Sequence, residues 1–104
     1  MKKNLVVASL LFAGALGMTV TAYAVDSRTR FIAANCAYCH GPDGKSRGAI
    51  PSIAGLDKAY FVQQMKDFRS GARSGAASTV MHQHATGYTD EEIEKLGEWF
   101  SKIK

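Results

Sequence analysis

Cys36-Ala37-Tyr38-Cys39-His40-Gly41 decides how the rest of this 104-residue chain is read. Two thiols three positions apart stand on adjacent faces of one helical turn, so both can add to vinyl groups along one edge of a porphyrin. The histidine that follows then lies under the iron and can give it a proximal imidazole ligand. The pattern C-x-x-C-H therefore predicts one covalently attached haem c, with thioethers from Cys36 and Cys39 and an axial bond from His40. Other readings of the same residues fit less well. A zinc site needs two further ligands, and the chain has no other cysteine. A thioredoxin-like dithiol needs a parallel sheet that a chain this short and strand-poor does not build. A structural disulfide across a tight turn is the remaining alternative.

The N-terminal residues point to export. Lys2 and Lys3 precede an apolar run from Leu5 to Leu16, and Ala22-Tyr23-Ala24 has the small-x-small pattern of a signal-peptidase site. Residues 1–24 are expected to be a cleaved secretory signal peptide and the destination the periplasm. A membrane anchor would need about 18 or more unbroken apolar residues, whereas Ser9, Gly14, Gly17 and Thr19 interrupt this run. Export agrees with the haem motif, because bacterial c-type haem is attached outside the cytoplasm. The remaining residues, 25–104, suffice for one small domain with little core of its own. A covalent haem would serve such a domain as a staple and as part of its core.

Without Lys2 and Lys3 the chain has eleven basic residues against nine acidic ones. The distribution is more informative than the total. Residues 28–73 hold eight Lys or Arg against three Asp, whereas residues 89–104 hold five acids against three Lys. A basic side around the haem loop follows, either as a solvated face or as a docking patch. The basic residues are scattered and the chain carries an export signal, so nucleic acid is not an expected partner.

Along the chain, Ser27 is a plausible N-cap for a first helix running through Phe31 and Ile32 to the cysteines. Residues 41–55 contain both prolines, Pro42 and Pro51, and four glycines, which predicts a loop around the proximal side. Asp57 can cap a second helix whose Phe61, Met65 and Phe68 form one buried stripe, ended by Ser70 and Gly71. Residues 71–87 read as a loop with at most a short helix. Thr89-Asp90-Glu91-Glu92 is a capping box, with Tyr88 and Ile93 as a hydrophobic staple. The last helix presents Ile93, Leu96, Phe100 and Ile103 on one face, with Trp99 at its margin. Gly97 costs that helix about 1 kcal/mol relative to Ala, which suggests a close helix crossing. No strand pattern or internal repeat is evident, and the expected class is all-α.

The iron's sixth position separates the function classes. Met65 lies in phase with the buried stripe of the second helix, and His82 and His84 are possible ligands, although exposed loop histidines are ordinarily just solvated. Met81, 41 residues after His40 in a glycine-bounded segment, is the preferred ligand. A thioether is soft and neutral, stabilises ferrous iron and raises the potential, and a closed sixth site denies substrates access to the metal. An electron carrier is thus favoured over a haem enzyme. No other catalytic constellation is present.

These residues resemble the class I cytochromes c over essentially the whole of residues 25–104. The resemblance is carried by Cys36-Ala37-Tyr38-Cys39-His40-Gly41, by Ile50-Pro51-Ser52, and by Met81. It implies that the Pro51 carbonyl orients the proximal histidine, that Met81 is the distal ligand, and that the first and last helices cross. A narrower similarity, to the cytochrome subunit of flavocytochrome c sulfide dehydrogenases, rests on Met65-Lys66-Asp67-Phe68-Arg69-Ser70-Gly71, Thr79-Val80-Met81 and Gly87-Tyr88-Thr89-Asp90-Glu91-Glu92-Ile93. It implies a flavoprotein partner that oxidises sulfide and passes electrons to the haem. Some members carry two haem domains, whereas this chain has one C-x-x-C-H. A free-standing soluble shuttle is the alternative, and a haem sensor or enzyme from which Met81 dissociates is a third.

Overall fold

The computed structural model describes residues 27–104, and the expected leader at 1–24 lies outside the described residues. Four helices carry the described chain: α1 over 27–40, α2 over Lys58–Ser70, α3 over Thr79–Thr86 and α4 over Asp90–Ser101. Short 3-10 turns at Pro42–Gly44 and Ala76–Ser78 interrupt the connections. Among the described residues there is no strand, and no helix is long and apolar enough to cross a membrane.

The ends of α2 and α4 follow from local chemistry. The Asp57 carboxylate accepts a hydrogen bond from the Tyr60 amide at 3.1 Å and starts α2. Gly71 ends α2 at φ 86°, where its amide donates to the Asp67 carbonyl at 3.1 Å in a left-handed cap. At α4 both arms of the capping box form, Glu92 N to Thr89 Oγ1 and Thr89 N to Glu92 Oε1, each 3.1 Å. Ser27, the expected cap of α1, is itself helical, and what precedes it lies outside the described residues.

The core is one cluster to which every helix contributes: Ile32 and Ala33 from α1, Phe61, Val62, Met65 and Phe68 from α2, Ala85 from α3, and Ile93, Leu96 and Phe100 from α4. Phe61 and Phe100 stack with ring centroids 5.8 Å apart, joining α2 to α4. The two helices come close at Gly97, where a Cβ would lie 3.1 Å from Val62 Cγ2 and 3.3 Å from the Lys58 carbonyl. Met65 is buried in the stripe that its spacing predicts. Ile103 lies beyond the end of α4 but still packs on the core, and the Phe100 carbonyl near that end accepts the amides of Gly55 and Ile103.

Two features of the sequence reading change in three dimensions. Residues 79–86, expected as loop or short helix, form the eight-residue α3, so Met81 stands in a helical turn rather than on an open loop. Ser78 gives α3 no side-chain cap, and the helix is anchored by Ala85, which is fully buried. That is a tertiary contact without a local signal. The expected basic side is also partly consumed. Arg28 pairs with Glu92, Lys58 with Glu94 and Glu98, and Arg69 with Asp90, so the acid-rich α4 neutralises part of the basic segment. Lys45 and Arg47 remain exposed on the loop after the haem motif.

Candidate haem site

The last turn of α1 presents the motif. Thr29, Ile32, Ala33 and His40 are buried on the side of the helix facing the core, Cys36 is half-buried with them, and Cys39 is exposed. The two sulfurs thus stand on neighbouring faces of one turn, with His40 closing it. Burial pushes the Cys36 thiol up to about 11, with a backbone hydrogen bond working weakly against it. An unreacted Cys36 is therefore a neutral thiol, unlike the low-pKa cysteine of a redox dithiol. Tyr88 is also held above its ordinary value, first by burial and then by the charge of an ionised Cys36.

His40 is 8% exposed, and its Nδ1 lies 2.7 Å from the Pro51 carbonyl oxygen. A carbonyl can only accept, so Nδ1 carries the proton and donates. In the neutral ring the lone pair is then on Nε2, the nitrogen free to bind a metal. The carbonyl partner fixes the ring's tautomer and orientation, the second-sphere arrangement typical of ligating histidines. The donor set therefore fits haem c: two cysteines one helical turn apart, and a buried imidazole locked in the metal-binding tautomer.

The loop that brings Pro51 to His40 is built on glycine. Gly41 has φ 91°, and a Cβ there would lie 2.5 Å from the Lys45 carbonyl oxygen. The chain then turns through Pro42–Gly44, with Asp43 at φ 55°. The Gly44 carbonyl accepts the amides of Ile53 at 2.8 Å and Ala54 at 3.1 Å, while Ser52 Oγ accepts the Ser46 amide at 2.9 Å. Pro51 is thus held by its two successors. The sequence marked residues 41–55 as a loop, but nothing local singled out Gly44 and Ser52 as its fasteners, because both act through partners several residues away.

Met81 is half-buried and, like Cys36, packs against the common core. His82 beside it is not merely solvated, since its Nδ1 lies 2.7 Å from the Phe68 carbonyl oxygen of α2.

Comparison with known proteins finds a matching family and several relatives. The sequence profile of the family described as Cytochrome c matches residues 24–104. The cytochrome subunit of sulfide dehydrogenase from Chlorobaculum tepidum is 39% identical over 95% of this chain and 94% of its own length. Cytochrome c-553 from Nitratidesulfovibrio vulgaris is 30% identical over 99% of this chain and all of its own. Among solved structures, reduced cytochrome c4 from Pseudomonas stutzeri superposes with a TM-score of 0.58 at 29% identity, covering 66% of this chain and 38% of that one.

Proposed function

The chain belongs to the cytochrome c family, and from that premise we propose that Cys36 and Cys39 hold its haem c, that His40 and Met81 are the axial ligands, and that its electrons come from a sulfide-oxidising flavoprotein. Its work is electron transfer rather than catalysis on a substrate of its own. The observation that carries the site assignment is the His40–Pro51 hydrogen bond, which leaves Nε2 as the basic nitrogen immediately after the two cysteines. When bound, haem c supplies one-electron exchange at iron.

Around that exchange the protein's residues have separate tasks. His40, steadied by the Pro51 carbonyl, donates from a fixed direction and limits rearrangement between oxidation states. Met81 would add a soft neutral donor to the iron, which would favour the ferrous state and deny other molecules access to the metal. Oxidised protein should show the weak sulfur-to-iron band at the red to near-infrared edge. Met81→Ala should abolish the band and lower the potential, while Met65→Ala should leave the band in place. Loss of the band in the Met65 variant instead would reverse the assignment.

The sulfide partner is supported by the Chlorobaculum relative, whose similarity spans nearly the full length of both chains. Residues 1–24 read as an export signal, which supports the periplasm as the location of this exchange. The test is purification from native extract at high ionic strength, where a permanent subunit held by apolar contact stays bound and a charge-steered shuttle dissociates. A flavin-containing chain should copurify, and sulfide should reduce the haem only in its presence. Monomeric elution with no flavoprotein bound even at low salt would reject the subunit reading in favour of a free carrier.

A further inference from the structure

We propose that His82 is a positioning residue for Met81, holding the first turn of α3 against the C-terminal end of α2 through the hydrogen bond from its Nδ1 to the Phe68 carbonyl. The inference rests on the reading of Met81 as axial ligand. The reason lies in how α2 ends. A helix leaves its last carbonyls without amide partners, and here Gly71 N and Arg73 N both go to the Asp67 carbonyl. The Ala72 amide, which in a continuing helix would reach Phe68 O, bonds instead to Ser70 Oγ at 3.3 Å. Phe68 O is left to His82, fourteen residues on, at 2.7 Å. The same end is stiffened by Arg73, whose guanidinium lies over the Phe68 ring at 4.5 Å and donates to Gln64 Oε1 at 2.6 Å.

The other side of the bond is a helix with few restraints of its own. α3 has eight residues, no side-chain cap at Ser78, and one fully buried side chain, Ala85, one turn past Met81. Ala85 fixes the far end of α3, and His82 fixes the near end, next to the ligand. Because the acceptor is a carbonyl, Nδ1 donates whether the imidazole is neutral or cationic. The restraint therefore does not depend on the charge of His82. The hydrogen bond opposes any displacement of Met81 that carries the first turn of α3 away from α2, because such a displacement would have to break it. Its loss should enlarge the population in which the sixth position is open, and the apparent affinity of an added ligand rises in proportion to that population.

The experiment uses the holoprotein and imidazole as the probe, titrated into ferric protein while the sulfur-to-iron band is followed. A single such hydrogen bond corresponds to a factor of about two to ten in the equilibrium. His82→Leu should bind imidazole about two- to ten-fold more tightly and show a weaker band. His82→Asn, which retains a donor near the position of Nδ1, should return toward the parent, and His84→Leu should match the parent. In the parent itself, nitrogen-15 NMR of the histidines should show a protected His82 Nδ1 proton that becomes exchangeable when imidazole binds, a readout that needs no variant to fold. Unchanged imidazole affinity in His82→Leu, even with a lowered melting temperature, would show a purely structural contact and overturn the proposal. So would an Asn variant as weak as the Leu variant, or a proton equally protected with imidazole bound. Failure of the ligand assignment is distinct: the parent would lack the band, and Met81→Ala would match it.

Discussion

Substituting alanine at three glycines separates backbone strain from steric overlap in the loop that carries Pro51. Gly44 has φ 75°, and a Cβ there would lie 2.8 Å from Ile53 Cγ1 and 3.0 Å from Phe100 Cε1. Gly71 has φ 86° with nothing within 4 Å, and Gly48 has neither a positive φ nor a neighbour within 4 Å. All three substitutions stiffen the unfolded chain, which favours folding by about 0.4–1 kcal/mol. At Gly48 that is the whole effect, and Gly48→Ala should be neutral to slightly stabilising. Gly71→Ala adds about 1–2 kcal/mol of left-handed strain and should be mildly destabilising. Gly44→Ala adds about 1–3 kcal/mol of overpacking to the same strain, because Phe100 is buried and cannot retreat into solvent. These costs, about 2–5 kcal/mol, less the unfolded-chain gain leave a net loss of about 1–5 kcal/mol, a large part of the 5–15 kcal/mol typical of whole domains. Urea unfolding of the holoprotein followed by far-ultraviolet circular dichroism should rank midpoints Gly48→Ala, Gly71→Ala, Gly44→Ala from highest to lowest. Only the last should also shift the reduction potential, since the Gly44 carbonyl holds the amides of Ile53 and Ala54 just beyond Pro51. Equal midpoints for the Gly44 and Gly71 variants would refute the overlap, and an unchanged potential would refute the link to His40.

Thr89→Ala removes the acceptor of the Glu92 amide and should cost about 1 kcal/mol, measured as a lower urea midpoint that Thr89→Ser largely restores. Leu96→Ala empties a fully buried site between Ile93 and Phe100 and should cost about 2–5 kcal/mol by the same measurement. Three carboxylates of α4 are held below their ordinary values: Asp90 by its hydrogen bond to Arg69, Glu92 by the Thr89 backbone amide, and Glu98 by its hydrogen bond to Lys102. A depressed carboxylate contributes stability that is present above its unfolded pKa and is lost as pH falls through the folded value. The urea midpoint should therefore hold from neutral pH down to about 5 and decline below the ordinary carboxylate range. Arg69→Ala should reduce that decline, while a profile unchanged in Arg69→Ala would remove Asp90 from the account.

Much of this protein is determined within short stretches of its sequence. Cys36, Cys39 and His40 sit within five residues, so their chemistry and their place on one helical turn follow from helix geometry alone. The same holds for the Asp57 cap, the capping box at Thr89 and Glu92, and the buried phase of Phe61, Met65 and Phe68. Each depends on hydrogen bonds or periodicity within about two turns, which any environment preserves. The tertiary structure decided what depends on groups far apart in the chain. α3 is the short helix that composition allowed within a loop, and its place is set by Ala85, which is buried among the other helices. Part of the basic segment is matched to α4, since Arg28, Lys58 and Arg69 find carboxylates 21 to 64 residues away. His82, read as solvated, acquires a role because the amides after Phe68 turn elsewhere and leave its carbonyl open. No local pattern encodes such an opening, because it exists only once two helix ends have been brought together.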